Sequence, residues 1–205
     1  MKKPRFLTLL FCALLSVVLL AGCSGKEESP VPPEQPVQNT DGGNSSAGTA
    51  AELGCLKSFS AGTLGGGSFT QDDITEKDLT IINFWSLTCG PCIAEMPDLA
   101  AFAKALPDNV QLVTVCLDGA GNEERTAEIL EEAGFEGITI ISGDGDLLSL
   151  AGNLIYTPTT LLADSEGNLV SDAIIGRQED LSATFLAAVN AALESGGKEE
   201  IRLDE

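Results

Sequence analysis

The sequence predicts an α/β domain with a largely parallel central sheet, and successive strand and helix patterns carry that prediction. Leu79 to Trp85 is dominated by Leu, Ile, Phe and Trp, which is typical of a strand buried on both faces. Cys89 to Leu106 then repeats apolar residues at a helical period, and Val110 to Leu117 is a second apolar strand. A helix with an acidic first turn, Glu123 to Ala133, and a third strand, Ile138 to Ile141, continue the alternation. Consecutive β-α-β units imply parallel pairing.

A short β-hairpin is predicted before the first buried strand. Lys57 to Gly62 and Ser68 to Thr70 flank Leu64-Gly65-Gly66-Gly67, which has the composition of a tight turn. A phosphate-binding loop is the alternative use of three glycines. We favour the turn, because no Gly-Lys-Ser/Thr follows the glycines.

The C-terminal part is predicted to add a short segment, two strands and a helix. The segment is Asp146 to Leu150, and the strands are Thr159 to Leu162 and Asn168 to Ile174, separated by the turn residues Asp164 to Gly167. An apolar stripe from Leu181 to Ala192 marks the closing helix. Asp144-Gly145-Asp146 resembles part of a calcium-binding loop. The other ligands of such a loop are missing, so we favour a turn.

Composition excludes several classes of function. The 205 residues include 31 Asp and Glu against 11 Lys and Arg, a net charge of -20, which argues against nucleic acid as a partner. There is no histidine, so Ser-His or Cys-His catalysis, a His-ligated metal and a histidine pH switch are excluded. Acid-base chemistry must use other groups.

The N-terminal residues predict export and lipid anchoring. Residues 1–22 combine Lys2, Lys3 and Arg5 with an apolar run too short to span a membrane comfortably, as in a signal peptide. The run ends in Leu-Ala-Gly-Cys, which resembles the bacterial lipobox, so Cys23 is the expected lipidated N-terminus on the extracytoplasmic face of the membrane. An ordinary signal peptide or an uncleaved anchor is the alternative. Residues 23–54 are predicted to be a flexible tether and 196–205 an acidic C-terminal tail.

Cys89-Gly90-Pro91-Cys92 lies where the most buried strand meets the start of a helix. The helix N-terminus favours a thiolate at Cys89, and Cys92 is close enough to close a small disulfide ring while the protein body shields it. The alternatives are a static disulfide and half of a zinc site, for which only Cys55 and Cys116 remain as ligands. We favour a redox pair in which Cys89 attacks and Cys92 resolves.

Three motifs resemble a known family. They are Asn-Phe-Trp-Ser-Leu-Thr-Cys-Gly-Pro-Cys at 83–92, Glu95-Met96-Pro97, and Thr157-Pro158-Thr159-Thr160. Together they resemble thioredoxin, and especially the membrane-tethered TlpA/ResA-type thiol-disulfide oxidoreductases, over residues 55–195. The resemblance implies a thioredoxin-like three-layer fold, in which a central mixed sheet carries helices on both faces.

The resemblance also implies how the site is built. Pro158 would follow a cis peptide bond and lie against the cysteines, where the backbone near Thr157 can pair with an extended substrate peptide. A trans proline in a plain turn is the alternative. Gly90 and Pro91 would line the substrate site. Trp85 is expected chiefly in the core, with a secondary role beside the site.

Glu95 is the predicted proton relay. It lies three residues after Cys92 and therefore on the same helical face, as in the Cys-x-x-Cys-x-x-Glu pattern of the secreted branch. A buried carboxyl with a pKa near neutrality can exchange a proton with Cys92. A solvated helix glutamate is the alternative. Asn83 stands where thioredoxin has a buried acid, and Thr88 where many relatives have tryptophan.

The resemblance implies a partner set and a direction. Exported disulfide-containing proteins, such as apocytochromes c or methionine sulfoxide reductases, are the expected substrates, and a membrane thiol transporter is the expected electron donor. Gly-Pro between the cysteines favours reduction of the substrate. No metal or other cofactor is expected. Cys55 and Cys116 are left over and leave open a second disulfide. A peroxiredoxin-like peroxidase and a non-catalytic tethered binding lipoprotein are the alternative functions.

Overall fold

The computed structural model describes residues 53–203. The predictions for residues 1–22, for Cys23 and for most of the tether fall outside the described residues. The elements follow in chain order: β1 (Ser60–Thr63), β2 (Ser68–Thr70), α1 (Gln71–Thr75), β3 (Leu79–Trp85), α2 (Gly90–Lys104), β4 (Val110–Cys116), α3 (Glu123–Ala133), β5 (Thr139–Gly143), α4 (Gly145–Asn153), β6 (Thr159–Asp164), β7 (Ile174–Ile175) and α5 (Leu181–Ser195).

Among residues 53–203, one mixed sheet contains all seven strands in the order β2-β1-β5-β4-β3-β6-β7. β3 is parallel to β4 and antiparallel to β6, and β4 is parallel to β5. The hairpin of β1 and β2 extends one side of the sheet by antiparallel pairing of β1 with β5. The predicted central strand, N-terminal hairpin and mixed sheet are therefore confirmed.

Alternate residues of β3 serve two cores, one on each face of the sheet. Leu79, Ile81 and Trp85 pack with residues of α2, α3 and α5, among which Phe102 and Phe185 meet edge to face at 5.6 Å. Ile82 and Phe84 pack on the other face, against residues of α1 and α4. All seven residues of β3 are buried. Helices on both faces confirm the three-layer thioredoxin-like fold.

Two C-terminal elements differ from the sequence prediction. The segment predicted at Asp146 to Leu150 is a helix of nine residues, α4. The strand predicted at Asn168 to Ile174 is reduced to the two residues of β7, although the turn before it is present. Asn168 and Leu169 still form single antiparallel bridges with Cys55 and Ala163, and the pairing is interrupted at residues 170–173, where the chain bends at Ser171.

The chain after α5 returns to the domain. Asn190 on α5 binds the backbone of Ile201 twice, accepting at 2.8 Å and donating at 3.1 Å. Ile201 is buried, and Lys198 forms an ion pair with Asp78 at 2.6 Å. The described part of the segment predicted as an acidic tail therefore packs through its apolar residues. Within residues 53–203, no helix is both long and apolar enough to cross a bilayer.

Candidate active site

Cys89 and Cys92 form a disulfide at the N-terminus of α2, with their Cα atoms 5.3 Å apart. Cys89 is the N-cap residue, and Pro91 occupies the first turn, where its missing N–H is no loss. The Cys92 backbone N–H donates to Cys89 Sγ at 3.2 Å. Cys89 is half-buried, whereas Cys92 is 1% exposed. A reduced Cys89 would thus face solvent while an amide and a helix terminus stabilise its thiolate.

The loop before Cys89 is held from β3 and from the chain after β4. Leu117 N–H donates to the Trp85 carbonyl at 2.9 Å, and Leu87 N–H donates to Asp118 Oδ1 at 2.9 Å. Cys89 N–H closes a turn onto the Ser86 carbonyl. Sequence reasoning missed Asp118, whose only available signal was its place just after a buried parallel strand.

The loop after α4 lies against the disulfide. The Thr157–Pro158 peptide bond is cis, and the Thr157 carbonyl oxygen is 3.5 Å from Cys89 Sγ. Pro158 is buried, and its carbonyl accepts from Gly176 N–H at 2.8 Å, which ties this loop to the end of β7. The structure thus brings Thr157 and Pro158 to the cysteine pair.

Exposed apolar side chains precede this proline. Ile155 is 82% exposed and Tyr156 is 60% exposed, and Leu148 on α4 is also exposed. A cavity of about 110 Å³ lies beside α4, lined among others by Leu117, Ile141 and Leu148. Ile155 and Tyr156 are therefore exposed apolar side chains within three residues of Pro158.

Glu95 is buried one helical turn after Cys92, with 2% of its surface exposed. Its Oε1 accepts from Asn83 Nδ2 at 3.2 Å. Burial raises the pKa of Glu95 to about 7, and the Asn83 hydrogen bond, the Gln178 backbone amide and the Arg177 charge lower it only in part. A carboxyl of this kind exchanges protons near neutral pH. The solvated-glutamate alternative is wrong.

The remaining predicted site residues are spread around this centre. Trp85 is fully buried in the same apolar core as Cys92, and its Nε1 has no hydrogen-bond partner. Gly90 and Pro91 are exposed on the outer side of the pair, next to Thr88. Trp85 therefore packs behind the site, and Gly90 and Pro91 are accessible to a partner.

The other two described cysteines are both free. Cys55 Sγ lies 3.9 Å from Asp146 Oδ2, while Cys116 is buried near Asp118 and Thr126. Burial raises the pKa of the Cys116 thiol to about 12, so this thiol is not ionised at neutral pH.

The Asp144-Gly145-Asp146 turn has a structural role. Asp146 Oδ2 accepts from the backbone amides of Lys57 and Ser58 at 2.8 Å, and Asp144 Oδ1 accepts from Ser60 N–H at 2.7 Å. These carboxylates clamp the start of the domain to α4. Within residues 53–203 no cluster of three or more acidic or cysteine side chains is arranged to hold a metal.

Comparison with known proteins identifies the family to which the chain belongs. The profile of the AhpC/TSA family matches residues 54–189. Sporulation thiol-disulfide oxidoreductase A of Bacillus subtilis is 31% identical over 91 residues, which span 44% of this chain and 55% of that protein. A thiol:disulfide interchange protein from Bacteroides sp. superposes with a TM-score of 0.53 at 25% identity, covering 69% of this chain and 93% of that structure.

A thioredoxin-family thiol:disulfide interchange protein from Chlorobium tepidum superposes with a TM-score of 0.57 at 23% identity, covering 68% of this chain and 96% of that structure, and supports the fold. The family match covers most of the described domain, including both cysteines and the proline loop. The chain therefore belongs to the AhpC/TSA family and has its thioredoxin-like fold.

Proposed function

We propose that this protein is an extracytoplasmic thiol-disulfide oxidoreductase that reduces disulfides of exported proteins. The observation that carries the proposal is the Cys89–Cys92 disulfide, with a half-buried Cys89 capping α2 and a buried Cys92 behind it. The names of the relatives support the reaction class, and Cys-Gly-Pro-Cys supports reduction as its direction.

The reaction starts from the dithiol. The Cys89 thiolate attacks one sulfur of a substrate disulfide, which forms a Cys89–substrate bond and releases the other substrate sulfur as a thiolate. Cys92 then attacks Cys89 Sγ, the Cys89–Cys92 bond forms, and the second substrate thiolate leaves. Two electrons pass from the dithiol to the substrate, and an external thiol donor, proposed to be membrane-bound, restores them.

Glu95 supplies the proton transfer in the second step. Cys92 must lose its proton before it attacks, and it is almost completely buried, so water cannot readily take that proton. Ionised Glu95, one turn along α2, accepts it and later releases it as the leaving thiolate is protonated. A pKa of about 7 makes both directions accessible at neutral pH.

Substrate binding is assigned to the surface next to Cys89. The Thr157 backbone is positioned to pair with an extended segment of the substrate, and Pro158, with no N–H, leaves space beside the sulfur. Exposed Ile155 and Tyr156 offer apolar contact to the same segment, and Gly90 and Pro91 form the other side. Apocytochromes c and methionine sulfoxide reductases are candidate substrates.

Membrane anchoring rests on the sequence of residues 1–23. We propose that Cys23 carries the lipid that holds the domain at the extracytoplasmic face. Cells expressing the full chain and fed labelled palmitate should incorporate label, and Cys23→Ala should abolish it. Equal labelling of both proteins would refute the anchor.

Insulin reduction tests the reaction. The purified protein with dithiothreitol should accelerate insulin precipitation, Cys89→Ser should abolish the acceleration, and Cys55→Ser, which also removes one thiol, should keep it. Inertness of the unsubstituted protein would favour the binding lipoprotein. Peroxide consumption by Cys92→Ser would favour the peroxidase.

A further inference from the structure

Asn83 is a buried polar residue in the mostly apolar strand β3, at the point where the strand packs against α2. Asn83 is fully buried, and its Nδ2 makes two hydrogen bonds, to Glu95 Oε1 at 3.2 Å and to Thr160 Oγ1 at 2.9 Å. Asn83 and Thr160 are paired in register on β3 and β6. The amide therefore links the sheet to the buried carboxyl of α2.

This arrangement has a cost. Asn83 Oδ1 is buried and has no hydrogen-bond partner, and an unpaired buried acceptor destabilises a folded protein. An apolar side chain of similar size would avoid that loss in a strand that is otherwise mostly apolar. The two hydrogen bonds that the amide donates offset part of this loss, and of their two acceptors only Glu95 titrates.

Other groups act on Glu95 from several sides. Asp98 on α2 opposes its ionisation, and the exposed Arg177 and the Gln178 backbone amide, between β7 and α5, favour it. When the disulfide is reduced, the Cys92 thiol is a further titratable group near Glu95. Within residues 53–203, Asn83 is the only side chain that forms a hydrogen bond with Glu95.

We infer that Asn83 is a positioning residue for proton transfer: it holds Oε1 of Glu95, so that the second carboxyl oxygen, Oε2, exchanges the proton of Cys92. An oxygen that accepts a hydrogen bond from an amide is the poorer site for a proton, which directs protonation to the other oxygen. The inference rests on the proposed exchange reaction. It adds a second residue to the relay and assigns the amide a role that depends on Glu95.

The direct test is NMR titration of the Glu95 carboxyl carbon in the oxidised protein. Asn83→Leu removes the donor and should raise the pKa of Glu95 by about one unit. Thr114→Val is the matched control, because Thr114 is fully buried and pairs with Asn83 on β4, and its hydrogen bond is to Thr139. It should leave the pKa of Glu95 unchanged. An unchanged pKa in folded Asn83→Leu overturns the inference.

A second measurement leaves Asn83 in place. In the unsubstituted protein the Asn83 side-chain amide signals should titrate with the same midpoint as Glu95, and in Glu95→Gln they should not titrate. If the chemical shifts of the Asn83 side-chain amide do not change with pH, the inference is overturned, even if Asn83→Leu fails to fold.

The activity arm separates this inference from the proposed function. The pH profile of insulin reduction should move to higher pH in Asn83→Leu. Adding Asn83→Leu to Glu95→Gln should not move the profile of Glu95→Gln. A profile that shifts equally in both backgrounds contradicts the positioning role. Loss of the proposed function would appear separately, as an unsubstituted protein that does not reduce insulin while the NMR shifts persist.

Discussion

Glu95→Gln should stabilise the oxidised protein, and the gain should grow with pH. Glu95 is the only buried charged residue among residues 53–203. Glutamine keeps the shape and an oxygen that can accept from Asn83, but it cannot ionise. The substitution therefore removes the cost of holding a carboxylate away from water and leaves the other titrating groups of the protein as they are.

The size of the effect follows from the pKa. Burial raises the pKa of Glu95 from 4.5 to about 7, so the folded state binds a proton more tightly than the unfolded chain. Ionisation is thus easier after unfolding, and the stability of the unsubstituted protein falls as pH rises from about 4.5 to about 7 and then levels off. A shift of about 2.5 units corresponds to about 3 kcal/mol at most.

Denaturant unfolding of both oxidised proteins at several pH values measures this difference. Trp85 is the only tryptophan and is fully buried, so its fluorescence reports the transition. The variant and the unsubstituted protein should be about equally stable near pH 4.5, and the variant should be more stable by about 3 kcal/mol at pH 8. A difference that does not change with pH would refute the burial argument for Glu95.

Three further predictions concern the loop before Cys89, the loop before Pro158 and the start of α4. Asp118→Ala removes the acceptor for Leu87 N–H, so it should cost about 1 kcal/mol of stability and slow disulfide exchange severalfold. Asp118→Asn keeps an acceptor and should behave nearly as the unsubstituted protein in unfolding and insulin assays. Tyr156→Ser should raise KM for insulin severalfold but leave the rate with a small aromatic disulfide unchanged; equal loss with both substrates would argue against a docking role. Gly145→Ala, at φ +55° and with its added Cβ against the backbone of Ser58, should lower the free energy of unfolding by more than about 1 kcal/mol, whereas Gly152→Ala, in open space in the same helix, should not.

The elements that carry the site were predictable because neighbouring residues encode them. β3 has the predicted bounds, and α2 begins directly after Cys89, since an apolar run followed by a capped amphipathic segment is a local pattern. The three-residue spacing of Cys92 and Glu95 likewise predicts, from neighbouring residues alone, that both lie on one face of the helix. The structure adds that Glu95 is buried, which the spacing alone left open.

Contacts between distant residues were not predictable. Asp118 binds Leu87 N–H across 31 positions, and Asp144 binds Ser60 N–H across 84. Nothing near these aspartates distinguishes a clamp from an exposed turn. Asn83 was recognised by position, but its bond to Thr160 depends on strand register across 77 residues, which a single sequence does not specify.

Alkylation of the reduced protein as a function of pH, with the modified cysteine identified by mass spectrometry, tests the central claim most directly. We predict that iodoacetamide modifies Cys89 first, leaves Cys92 and Cys116 unmodified on the same timescale, and reacts with Cys89 at lower pH than with free cysteine. First modification of Cys92, or a Cys89 profile that coincides with that of free cysteine, would contradict a nucleophile activated by the start of α2.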